Sequence, residues 1–391
     1  MFDPIFEWLV DGAPGATDSK GVIERMCPDL VRAGAPLDRF GAFVKTLHPH
    51  LMGRGFRWNR GGPVEVTGQT HDVLRTAAYL ESTIAWVQQN ATPLRRRLLD
   101  PSCPRDYLPL DEFAAEGFTD YLAAPMLFMN GEVHAASFAT RDAGGFTEPH
   151  VEGFLRIVRP LSRIAEILAQ RRTAANLLDA YVGHKTGERI VAGQIRRGDA
   201  ETIRAVLWFS DLRGFTALSA SLPTSGVLAV LNGLFDCQVP AIERHGGEVL
   251  KFMGDGLLAI FPIGGEPASP ATVCEAAFTS AEEALRALTT FNASRPGAPP
   301  IRFGLALHIG EVAYGNIGGA ARLDFTCIGP AVNVAARLEA LTGKVDRPVV
   351  VSADVARLTA RATTPLGAFE LKGVPAPEAV FAPAEGILSA W

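Results

Sequence analysis

The spacing of apolar residues changes along this chain, and each change predicts an element. Val22, Ile23, Met26, Leu30 and Val31 recur at helical spacing, which predicts a helix over 21–33. Residues 40–47 read as a strand, followed by a loop rich in Gly, Arg and aromatics up to Trp58. A second helix is predicted over 70–89, and the run Arg95-Arg96-Arg97 lies in 93–100. Two β-rich runs, 121–128 and 132–138, flank Asn130-Gly131, the strongest short-range hairpin signal. A long amphipathic helix is predicted over 149–170. From Leu161 onward, Leu161, Ile164, Ile167, Leu168, Leu177 and Leu178 form a stripe interrupted by Arg171-Arg172. The stripe reads either as packing against its own domain or as a parallel helix pair across a dimer. Gly183, Gly187, Gly193 and Gly198 then punctuate a charged segment.

The second half reads as mixed strands and helices. An apolar strand over 205–210 ends at Asp211 and leads towards a helix over 227–244. Two apolar strands follow, joined by a tight Gly254-Asp255-Gly256 turn. A helix over 271–291 and a strand over 302–308 come next, then the glycine-punctuated stretch 310–318. A short strand over 324–328, a helix over 331–341 and strands over 348–352 and 369–371 close the chain. This order suits an α+β domain with a largely antiparallel sheet.

Composition adds limits. A chain of 391 residues fits two domains better than one. A hydrophobic share of 48% and a charged share of 20% are ordinary for a packed core, and a net charge of −5 points away from nucleic acid. Five scattered cysteines, with no Cys-x-x-Cys pair, argue against a disulfide framework and a thiolate zinc site and suit a cytoplasmic location. The early acids of the first eight residues exclude a secretory signal, and no apolar run is expected to reach the about 20 residues of a membrane span.

The candidate chemistry sits in the second half. Asp211 at a strand end and Asp255 at a hairpin tip are carboxylates on rigid elements. Close carboxylates repel unless a cation lies between them, and oxygen ligands favour magnesium or manganese over zinc. Asn333 and Arg337, four residues apart, share one face of the helix over 331–341. No Gly-x-x-x-x-Gly-Lys-Ser/Thr run is present, which excludes a P-loop NTPase. His308 reads as a packed strand histidine.

From Ile203 to Phe381, these segments resemble the catalytic domain of class III nucleotidyl cyclases, the adenylate and guanylate cyclase family. The resemblance implies a ferredoxin-like βαββαβ core over 203–391. It implies two Mg²⁺ or Mn²⁺ ions per site, held by Asp211, Asp255 and the backbone carbonyl of Leu212. It makes Lys251 the reader of the base: adenine N1 is an acceptor and lysine only a donor, so ATP is favoured over GTP. The aspartate common in adenylate cyclases seven residues before Asn333 is replaced by Thr326, whose oxygen still accepts. The Lys251/Thr326 pair resembles the IIIb subclass, which makes bicarbonate a candidate effector. Asp324, two residues earlier, is not expected to supply the missing acid. Asn333 and Arg337 are implied to orient the ribose and neutralise charge on the α-phosphate, with Lys372 on the phosphates. In the family, the acids of one protomer face the remaining residues of another, which implies a homodimer with two equivalent sites.

In the first half, the hairpin, the loop with Phe146-Thr147-Glu148 and the closing helix resemble the end of a GAF domain. This implies an α/β GAF-like sensor or dimerisation domain over 1–160, with a small-molecule ligand as a candidate partner, and a helical linker over 161–202. The Arg95–97 run reads as a solvated helical turn, with anion binding as the alternative. Expected overall is adenylate cyclase activity. A guanylate cyclase and an inactive nucleotide-binding regulatory module are the alternatives.

Overall fold

Alternation along single strands sets the layers of both halves of this protein. The computed structural model describes residues 1–46, 52–264, 269–319, 322–384 and 386–388. The chain divides into two units, Met1–Ala180 and Tyr181–Trp391.

The first unit contains α1 (Asp3–Val10), α2 (Ser19–Arg32), β1 (Arg39–Lys45), β2 (Gly53–Asn59), β3 (Val64–Gln69), α3 (Ala77–Leu80), α4 (Thr83–Asn90), β4 (Leu94–Arg97), α5 (Leu108–Ala115), β5 (Asp120–Leu127), β6 (Val133–Thr140) and all but the last two residues of α6 (Glu148–Val182). Its six-stranded antiparallel sheet has the order β3-β2-β1-β6-β5-β4. On β5, Leu122, Ala124 and Met126 face the core that α2 and α6 cover, while Tyr121 and Ala123 face a second cluster with Val87 of α4 and Leu110 of α5. The Asn130-Gly131 hairpin forms as expected, with Gly131 at φ +84°.

Three expectations change here. The loop expected up to Trp58 carries β2, which pairs with β1, while Leu47, the last position of the strand expected over 40–47, lies outside the described residues. The helix over 70–89 is broken into a 3₁₀ turn, α3 and α4, because Thr76 and Ser82 cap new helices by accepting from Tyr79 N and Ala85 N. Arg95–Arg97 is neither a solvated turn nor a free anion site: it is strand β4, and Arg95 is paired to Asp120 and Glu148 and Arg96 to Asp106.

α6 passes through position 160 without a break and reaches Val182. Leu161 and Ile164 of its stripe pack in the first unit's core, whereas Ile167 and Leu177 are exposed.

The second unit contains α7 (His184–Val191), β7 (Ala200–Leu212), α8 (Phe215–Ser221), α9 (Thr224–Arg244), β8 (Glu248–Met253), β9 (Gly256–Ile263), α10 (Pro270–Ala293), β10 (Phe303–Gly318), β11 (Leu323–Ile328), α11 (Pro330–Glu339), β12 (Val349–Ser352), α12 (Ala353–Leu358), β13 (Thr363–Phe369) and β14 (Glu378–Pro383). β7-α9-β8-β9-α10-β10 is a βαββαβ succession, and its strands lie in the order β10-β7-β9-β8. β12, β14 and β13 extend the sheet beyond β10, with β10 and β12 parallel, and β11 pairs with the far end of β10. Val206 and Trp208 of β7 pack under α9 and α10; Ala205 and Leu207 pack under α11. The glycine-punctuated stretch after His308 continues β10 as strand to Gly318.

α9 is long and apolar enough to cross a membrane by length and composition, contrary to the expectation of no such run. Here its Leu234, Cys237, Ala241 and Ile242 pack in the core. All five cysteines are free.

Candidate functional site

β7 and β9 run antiparallel, and their register places Asp211 opposite Gly256. The residue before Gly256 is Asp255, in a turn that Gly254 closes at φ +70°. The two acids are thus brought together where a strand end meets a hairpin tip. A Cβ on residue 256 would lie 3.0 Å from the Asp211 Oδ1. Partial burial, and secondly the charge of Asp255, hold the Asp211 carboxyl above its ordinary pKa; Arg213 and the Leu212 N–H act the other way. Hard, mutually repelling carboxylate oxygens suit a divalent cation. Among the described residues no group of three or more His, Cys, Asp or Glu gathers as a metal cage.

Leu212 ends β7 with its side chain in the core, and the next residue, Arg213, donates its N–H to the Arg302 carbonyl at 2.9 Å. Lys251 lies on β8 beyond a register shift that follows Val249, and its ammonium is paired with the Asp324 carboxylate of β11. Asp324 reaches Lys251 because β10 carries β11 back beside β8, a long-range placement that spacing along one strand does not encode. Thr326 lies two residues further along the same strand and is buried, opposite Gly315.

α11 buries Ala331, Val334, Ala335, Leu338 and Glu339, which leaves Asn333 and Arg337 together on its solvent face. Lys372 is exposed in the turn after Leu371. His308 is buried, its pKa pushed down to about 4 by that burial, and its Nδ1 has no partner, so it is a packed strand histidine.

Two contacts were not legible in the sequence. Arg213 Nη2 donates to the Glu339 carboxylate at 2.6 Å and to its carbonyl at 3.0 Å. α7 is docked by buried polar groups: Thr186 donates to Glu248 at 2.7 Å, Tyr314 donates to the same carboxylate at 2.8 Å, and Arg189 lies over the Tyr314 ring at 4.9 Å.

Residues 200–382 match the model of the adenylate and guanylate cyclase catalytic domain. Those residues carry the catalytic domain of that family. An adenylate cyclase of Anabaena cylindrica is 34% identical to this chain over 169 residues, 42% of this chain and 32% of that protein. Adenylate cyclase 1 of Rhizobium meliloti is 30% identical over 149 residues, 38% of this chain and 22% of that protein. This chain thus spans about a third or less of the length of these two relatives. A solved structure of a bacterial light-regulated adenylyl cyclase shares 20% identity at a TM-score of 0.51 over 68% of this chain and 86% of that one, a likeness of fold. The cyclase domain therefore occupies the second unit, with β7, the β8–β9 hairpin, β11 and α11 carrying the candidate residues.

Proposed function

We propose that this chain is an adenylate cyclase that converts ATP to 3′,5′-cyclic AMP and pyrophosphate as a homodimer. The observation that carries the reading is the meeting of Asp211 and Asp255 at one edge of a cyclase domain whose α11 presents Asn333 and Arg337 outward. Asp211, Asp255 and the Leu212 carbonyl would hold two Mg²⁺ or Mn²⁺ ions, with nucleotide oxygens completing the ligands. Bound there, such ions lower the pKa of the ribose 3′-hydroxyl and neutralise the leaving pyrophosphate.

The chain's own residues orient the nucleotide. Lys251 donates to adenine N1, and Asp324 and Thr326 offer acceptors to the adenine amino group. Asn333 holds the ribose. Arg337 meets the charge that builds on the α-phosphate as the 3′-oxygen bonds to phosphorus and the bond to the β-phosphate oxygen breaks. Lys372 contacts the phosphates. Each site takes its acids from one protomer and Asn333 and Arg337 from the other.

The first unit, with its six-stranded antiparallel sheet, acts as a GAF-like module that senses a small molecule or pairs the chains. Bicarbonate is the candidate effector of the catalytic unit. The test is cyclic nucleotide formation by the purified chain with Mn²⁺ and ATP or GTP, beside an Asp255→Ala control. Cyclic AMP from the wild type alone supports the reading. Cyclic GMP and pyrophosphate from GTP in its place make the chain a guanylate cyclase, and no product makes it a binding module.

A further inference from the structure

We propose that Arg213 and Glu339 are positioning residues that tie the metal-binding end of β7 to α11, and thereby couple the two active sites of the dimer. Arg213 follows Asp211 by two residues, and Glu339 follows Arg337 by two. Their ion pair at 2.6 Å joins the strand end that carries one group of candidate residues to the helix that carries the other.

The joint is built for closeness. Glu339 is 4% exposed, so its carboxylate is removed from water and depends on the guanidinium it meets. Thr342, fully buried, donates to the Glu339 carbonyl at 2.8 Å, and Arg213 donates to that carbonyl as well. Below the joint lies Gly304 of β10, directly opposite Asp211 in the ladder. A Cβ there would collide with Arg213 Nη2, Thr342 Oγ1 and Glu339 Oε1. Three elements, β7, β10 and α11, thus converge on one ion pair with no space for a methyl group.

The inference rests on the shared-site reading above. In that arrangement, Asp211 and Arg337 of one chain serve different sites. A link between them inside one chain is then a link between two sites. Loss of the pair loosens the acids of the site on one side and the helix of the site on the other.

A dimer with a single working site tests this. One chain carries Asp211→Ala, the other Arg337→Ala, so the surviving site takes its acids from the second chain and its helix from the first. Glu339→Gln is then placed in either chain, and Arg213→Lys serves as the milder variant where Glu339→Gln lowers the melting temperature. In the acid-supplying chain, the account predicts a rise of about 10-fold in the Mn²⁺ concentration giving half the maximal rate. In the helix-supplying chain, it predicts a fall of about 10-fold in kcat at unchanged Mn²⁺ requirement. Gly304→Ala reproduces both effects. Equal effects from both placements, or none, overturn the positioning role. A one-site dimer that is inactive before any of these changes overturns the shared-site reading instead.

Discussion

Asp211 and Asp255 approach one another where β7 ends and the β8–β9 hairpin turns, and the Asp211 pKa is raised first by burial and then by the charge of Asp255. A carboxyl whose folded pKa is raised is stabilising only while protonated. Its contribution is full below the unfolded value near 3.8 and is lost as pH rises through the folded value. At neutral pH without divalent cations, Asp211→Asn is therefore expected to raise the melting temperature of the second unit. Mn²⁺ is expected to raise that of the wild type and to act weakly on the variant. Thermal melts at several pH values, with and without Mn²⁺, check both signs. In the same variant, cyclic AMP formation is expected to fall by at least about 100-fold, the upper end of what even outer-shell residues cost.

The pairing of Lys251 with Asp324 predicts a specificity change. Removing a charged hydrogen-bond partner costs about 1.5–3 kcal/mol, on the order of 10- to 100-fold. Asp324→Ala is expected to lower kcat/KM for ATP within that range and to leave kcat/KM for GTP nearly unchanged. Lys251→Ala is expected to erode the ATP preference as well. Competition between the two nucleotides measures it.

Acid sensitivity follows from His308. Burial holds its pKa at about 4 against an ordinary 6.5, so the neutral form is favoured in the fold. Stability is full above the unfolded value and falls as pH drops from about 6.5 to about 4, by about 3 kcal/mol in total. Buried His134 in the first unit, also held at about 4, adds its own loss. His308→Leu is expected to flatten the second unit's share of the acid slope. Urea titrations between pH 4 and 7 read it.

Arg95 predicts a local collapse. Asp120 is 1% exposed, and Arg95 Nη2 meets it at 2.8 Å, while Phe146 N donates to it at 3.0 Å. Arg95→Ala leaves a buried carboxylate with less compensation, at a cost of about 3 kcal/mol. The first unit is expected to melt earlier, with the second unit's transition unmoved, in a calorimetric scan.

What was readable in the chain and what was not separates along physical lines. Strand β7, the β8–β9 hairpin and α11 were legible because apolar periodicity and a Gly-Asp-Gly turn are local signals. The same signals placed Asn333 and Arg337 on one helical face. They misread residues 70–89, where Thr76 and Ser82 carry capping chemistry that periodicity ignores. Ion pairs between distant elements left no local trace. Arg95 with Asp120, Lys251 with Asp324 and Arg213 with Glu339 are joined only by topology. A resemblance of motifs could place Asp211 and Asp255, but only the antiparallel register of β7 and β9 sets them side by side.

The central claim is a site assembled from two chains, and mixing two dead chains tests it most directly. Asp211→Ala and Arg337→Ala chains are each expected to be inactive as homodimers. A verified heterodimer of the two is expected to form cyclic AMP from Mn²⁺-ATP, because one of its two sites keeps every residue. A heterodimer as silent as its parents would contradict the account.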